Sequence, residues 1–139
     1  MCLSRPRAID IPATSRPRPV NVASVNAYPY KIIAIIGGGR WARVLTEVLS
    51  EITPSETIIS IYSIHNKQLM VKWIQEKKFG QNVTIYDNFP NFSDQKIGAV
   101  IVVNSARDHE VSIQEGLNAG IPVLSEKPVS LSYTATCRL

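Results

Sequence analysis

The chain has 139 residues, 45% of them hydrophobic and 19% charged, and a formal net charge of +4. That length suits one domain with a sizeable core, and the apolar content argues against wholesale disorder. No apolar run approaches the ~18 residues of a membrane span, the longest being Ile32–Ile36 and Ala99–Val103.

The charge is unevenly spread. Residues 1–30 carry Arg5, Arg7, Arg16 and Arg18 against Asp10 alone, whereas the remainder holds eleven basic and ten acidic residues. The body therefore has no basic field, which disfavours a nucleic-acid-binding core. The leader also holds Pro6, Pro12, Pro17, Pro19 and Pro29. Proline removes backbone donors and fixes φ, so 1–30 is expected to be a disordered extension. It lacks the apolar stretch of a secretory signal. An organelle-targeting peptide and an upstream mis-start both remain open for it. Cys2 and Cys137 lie at opposite ends, which supports neither a disulfide framework nor a cysteine metal site. A cytoplasmic location is expected, with no metal.

Order is predicted from Lys31. Ile32–Ile36 is a continuous apolar run, the pattern of a strand buried on both faces of a parallel sheet. Gly37-Gly38-Gly39 ends it. Trp41, Val44, Leu45, Val48, Leu49 and Ile52 then recur at spacings of three and four up to Pro54, which predicts the buried face of a helix. Thr57–Tyr62 reads as a second strand, and Leu69, Met70, Trp73 and Ile74 as a second helix stopped near Gly80. Val83–Tyr86 is a short third strand and Ala99–Val103 a fully apolar fourth. A helix from about Asp108 to Ala119, closed by Gly120, leads to a fifth strand over Ile121–Ser125. This alternation predicts right-handed parallel crossovers and an α/β doubly wound, Rossmann-like sheet over residues 31–132. Tyr133–Leu139 has no clear pattern and is expected to be an unstructured tail.

Gly37-Gly38-Gly39-Arg40-Trp41-Ala42 fits G-x-G-x-x-A, following an apolar strand and opening an amphipathic helix. In that context Gly37 makes the tight turn, Gly39 admits a pyrophosphate, and small Ala42 lets helix and strand pack closely. The helix N-terminus offers free N–H groups and a partial positive charge to phosphates. At the end of the second strand the sequence reads Tyr62-Ser63-Ile64-His65-Asn66-Lys67, without a carboxylate. An acid there would bind the ribose 2′-hydroxyl of NAD. Its absence removes repulsion against a 2′-phosphate, and Ser63, Asn66 and Lys67 can donate hydrogen bonds, so NADP is expected ahead of NAD.

Asn104-Ser105-Ala106-Arg107-Asp108-His109 follows the fourth strand and Ser125-Glu126-Lys127-Pro128 the fifth. Both fall at carboxyl ends of parallel strands, where an open α/β sheet keeps its ligand crevice. Asp108 is also a candidate helix N-cap. A partly desolvated Lys127 beside a nicotinamide could exchange a proton during hydride transfer.

In order and spacing, the glycine loop at Gly37–Ala42, the Asn104-Ser105-x-x-x-His109 turn and Glu126-Lys127-Pro128 together resemble the nucleotide-binding half of the Gfo/Idh/MocA oxidoreductases, over about residues 31–132. Ala119-Gly120-Ile121-Pro122-Val123-Leu124 is similar too. The resemblance implies a pyridine-nucleotide oxidoreductase acting on a sugar, polyol or related carbonyl, alcohol or imine. It implies that Gly37, Gly38, Gly39, Arg40 and Trp41 surround the pyrophosphate and that Ser63 and Asn66 take the ribose-discriminating place. Asn104, Ser105 and His109 would line the cleft. Glu126 and Lys127 would sit beside the nicotinamide ribose, with Lys127 the catalytic residue. Family members carry a second domain that supplies substrate contacts, and nothing in this sequence corresponds to it. The sheet is therefore expected to be incomplete at its C-terminal edge and the chain inactive alone. A small-molecule substrate would bind only if a second domain were supplied. A non-catalytic dinucleotide-binding module or a gene fragment is the alternative, with a homo-oligomer formed through the open edge.

Overall fold

The computed structural model describes residues 31–93 and 96–139. The expected extension, residues 1–30, lies outside the described residues, as does Cys2. Five parallel strands form one sheet in the order β3-β2-β1-β4-β5. They are β1 (Ile32–Ile36), β2 (Ile58–Tyr62), β3 (Val83–Tyr86), β4 (Ala99–Val102) and β5 (Val123–Ser125). The helices are α1 (Arg40–Ile52), α2 (Lys67–Lys77), α3 (His109–Asn118) and α4 (Tyr133–Thr136). The fold is the expected Rossmann-like doubly wound sheet.

The isoleucine-rich strands explain the layering, because successive side chains point to opposite faces. Ile33, Ile35, Ile59, Ile61 and Ile101 pack with Ala42 and Leu49 of α1 and Met70 and Trp73 of α2. Ala34, Ile36, Val100 and Val102 pack on the other face with Ile113 of α3 and with Phe92, Ile97 and Ile121. The strand order switches sides between β1 and β4, which pair in parallel from Ile33 with Ala99 to Ile36 with Val102. A cleft opens at such a switch point, where the loops leaving the two strands run apart.

The structure corrects several expectations. The buried residues of α1 are Ala42, Thr46 and Leu49; of the expected face, Leu49 is buried and Leu45 packs half-buried against the same core. Small residues allow the close approach, and the Thr46 hydroxyl is satisfied by donating to the Ala42 carbonyl at 2.7 Å. Trp41, Val48 and Ile52 lie roughly 100° further round the helix and remain exposed, Trp41 at 55% and Ile52 at 69%. Strand β5 starts at Val123 rather than Ile121. Pro122 lacks an N–H and contributes only its carbonyl, which accepts from Val100 N at 2.9 Å. The tail is not structureless: Ser132 Oγ accepts from Ala135 N at 3.3 Å and caps the single turn of α4. Ala135 is buried there, and Leu139 packs against the α3-side core.

Candidate functional site: a cleft at the β1–β4 switch point

A cavity of about 570 Å³ runs across the carboxyl ends of the strands, within the size range of small-molecule sites. Its floor is the loop after β1. Gly37 has φ +131°, and a Cβ there would lie 2.8 Å from the Val103 carbonyl group. No side chain fits, so the position must be glycine. Gly37 N donates to Tyr62 O at 2.8 Å, which ties the turn to β2. A Cβ on Gly38 would strike the Ser63 side chain, whereas one on Gly39 would meet nothing within 4 Å. The approach to Gly39 is thus open to a ligand.

Helix α1 begins at that opening. Its N-cap residue Gly39 supplies no side-chain cap, and its first turn holds no acidic residue. The first-turn N–H groups and the helix dipole are therefore available to an anion. Also in the cleft lining, Asn104 Nδ2 donates to Ser112 Oγ at 2.8 Å, while the buried Asn104 Oδ1 has no hydrogen-bond partner. An orphaned buried acceptor is expensive unless a ligand or water meets it. The uncapped first-turn donors and the open approach at Gly39 fit the phosphates of a dinucleotide.

The expected site residues divide into two groups. Gly37, Gly38, Gly39, Ser63, Asn66, Asn104 and Ser105 all line the cleft. Ser63 Oγ accepts from Asn66 N at 3.2 Å, and Asn66 Nδ2 reaches Gly38 O at 3.5 Å. These contacts hold the end of β2 against the glycine loop.

Others stand elsewhere. Arg40 lines a separate groove between α1 and α2, and Trp41 belongs to neither cavity. Lys67 is bound to Asp87 at 2.8 Å. That pairing holds the Asp87 carboxyl below its usual range, chiefly through the Lys67 hydrogen bond. His109 is buried, at 2% exposure, behind the cleft wall. Its Nδ1 lies 2.7 Å from Pro128 O and its Nε2 3.1 Å from Asn104 O. It therefore ties the loop after β5 to the turn after β4. Glu126 extends the sheet by donating from its N–H to Val102 O at 3.0 Å, but its side chain does not reach the cleft lining. Lys127 is exposed.

Sequence reasoning passed over Ile64, Asn88, Phe89 and Val111, which also line the cleft. The rule that ligands gather at carboxyl ends of strands would have found Asn88 and Phe89 after β3. Asp108 takes the N-cap position of α3, but its side chain makes no cap bond.

Residues 31–139 match a family model described as the oxidoreductase family, NAD-binding Rossmann fold, GFO_IDH_MocA. The chain belongs to this family. Among solved structures it is similar to an oxidoreductase from Desulfitobacterium hafniense described as NADPH-dependent, with 22% identity, a TM-score of 0.62, and coverage of 81% of this chain and 31% of that one. It is also similar to scyllo-inositol dehydrogenase from Lactobacillus casei, with 24% identity, TM-score 0.59, and coverage of 78% and 32%. The complex of myo-inositol dehydrogenase from Lactobacillus casei with NAD(H) and myo-inositol gives 19% identity, TM-score 0.63, and coverage of 78% and 32%. The chain thus spans about a third of each of these structures, and the likeness is one of fold. No curated protein matches it. No helix among the described residues is long and apolar enough to cross a membrane.

Proposed function

We propose that this chain is the cofactor-binding part of a cytoplasmic oxidoreductase and that it holds NADP in preference to NAD. The observation that carries the reading is the uncapped N-terminus of α1 opening beside Gly37 and Gly39. On this reading Gly38 and Gly39 would hold the pyrophosphate, Ser63 and Asn66 the adenosine ribose, and Asn104 and Ser105 the nicotinamide half. When bound, the nicotinamide would supply or accept the hydride. Glu126 and Lys127, on the loop tied down by His109, close the site once a substrate-bearing partner or domain desolvates Lys127, which then exchanges a proton with a sugar, polyol or related substrate. The chain alone binds cofactor without turning over substrate.

NADP is preferred because no carboxylate lines the cleft at the end of β2, where Ser63 and Asn66 stand instead. The exposed Leu124 and the one-sided pairing of β5, which bonds only to β4 among the described residues, favour a second reading in one respect. They suit a non-catalytic dinucleotide-binding module that associates with itself through this edge.

Calorimetric titration of the chain with NADPH and NADH tests the first reading, with NADPH expected to bind tighter. Ser63→Asp is expected to shift the ratio toward NADH by about tenfold, or ~1.4 kcal/mol. Equal ratios before and after would remove the NADP argument. Substrate-dependent oxidation of NADPH by the chain alone would refute inactivity.

A further inference from the structure

The groove between α1 and α2 contains a pair of arginines, neither of which meets a carboxylate among the described residues. It has a volume of about 380 Å³ and shares Gly38, Gly39 and Asn66 with the cleft, so the two cavities meet over that saddle. Its polar walls come from Arg40, Arg43, Glu47 and Lys77. Glu47 and Lys77 satisfy each other at 2.6 Å. Lys67, the cation that the sequence suggests for this end of the site, is held by Asp87 instead. Arg40 and Arg43 remain. Arg40 makes no hydrogen bond or ion pair among the described residues. Arg43 has its guanidinium carbon 6.0 Å from the centroid of the Trp73 ring, and its buried Nε has no acceptor.

We propose that Arg40 and Arg43 are the residues that select the cofactor, by binding the 2′-phosphate of NADP where the groove meets the cleft. The inference rests on the NADP reading above and adds the cations that reading lacks. A pyrophosphate over Gly38 and Gly39 places the adenosine ribose, one bond network away, beside Ser63 and Asn66. Asn66 stands on the saddle, so a phosphate on that ribose faces the groove. Two guanidinium groups suit it, because their planar forks match phosphate oxygens. Contact with Trp73 holds one fork in orientation before the ligand arrives. An unphosphorylated ribose leaves both arginines unmet. The discriminating charge thus comes from the first two turns of α1, not from the loop after β2.

Calorimetry with 2′,5′-ADP and 5′-ADP as probes separates the possibilities on the full chain. The unmodified chain is expected to bind 2′,5′-ADP about tenfold or more tighter. Arg43→Gln should erase most of that ratio while leaving 5′-ADP affinity within about twofold, and Arg40→Gln should erase part of it. Arg43→Lys keeps the charge without the fork and should retain an intermediate ratio; it decides the matter should Arg43→Gln fail to fold. A full ratio in the folded arginine variants overturns this inference and leaves the NADP reading intact. Equal affinities in the unmodified chain overturn the NADP reading itself.

Discussion

The two ends of the sheet are finished to different degrees. On the β1–β2 side, Ile35, Ile59, Ile61 and Met70 are sealed between strands and helices, and the glycine loop is tied to β2 by the Gly37–Tyr62 hydrogen bond. At the β5 edge, three residues pair with one neighbour, and Leu124 is 61% exposed on the same face as Ile101. The exposed flank of α1, with Trp41, Val48 and Ile52, is a second bare apolar surface. The contrast goes with a glycine loop fully built by its neighbours and a Lys127 that is exposed. A phosphate cradle needs only one strand, one turn and one helix. Desolvating a lysine needs matter on all sides.

Paired truncations test that contrast most severely. Ile61→Ala, in the sealed half, is expected to cost about 2–5 kcal/mol and to lower the melting temperature by roughly 10 °C or more. Leu124→Ala, at the open edge, should cost less than about 0.5 kcal/mol. Comparable losses in denaturant melts would mean that the edge is covered in solution. Gly37→Ala should come next, at about 1–3 kcal/mol from the forced positive φ, with further loss from the contact with the Val103 carbonyl. NADPH binding should disappear with it; a variant that melts and binds normally would show that the loop can be rebuilt.

His109→Ala removes both links between Asn104 O and Pro128 O and is expected to cost about 1–3 kcal/mol. Amide exchange should then quicken in the Glu126–Lys127 loop but not in the glycine loop. Equal quickening in both would deny His109 its local role. The smallest effect belongs to the exposed Lys67–Asp87 pair. Because Lys67 lowers the Asp87 carboxyl in the folded chain, any stability it adds is present above the ordinary carboxylate range and fades as pH falls through the lowered value. Asp87→Asn should flatten that slope in low-salt melts, and added salt should do the same.

Much of this was legible in residue order. Val83–Tyr86 is a strand as read, and Ile32–Ile36 is sealed on both faces because five consecutive apolar residues have no solvent side to offer. The glycine loop was legible because its spacing answers a steric demand, met here at Gly37. The α1 contact face was not. Apolar periodicity marks which residues avoid water, but the fit against a sheet selects small ones, so Ala42 and Thr46 touch it while Trp41 does not. The pairing of Lys67 was hidden for a related reason: a cation is available to a ligand only if no carboxylate reaches it first, and Asp87, which takes Lys67, follows β3 further along the chain.

Local patterns were thus enough for the existence and order of the strands and for the glycine loop, since each leaves its mark in residues close together in sequence. Which side chains face the cleft, which cations remain unpaired and where His109 ties two loops together were decided only by the folded chain. Those properties depend on distances between residues far apart in the sequence, and no periodicity encodes them.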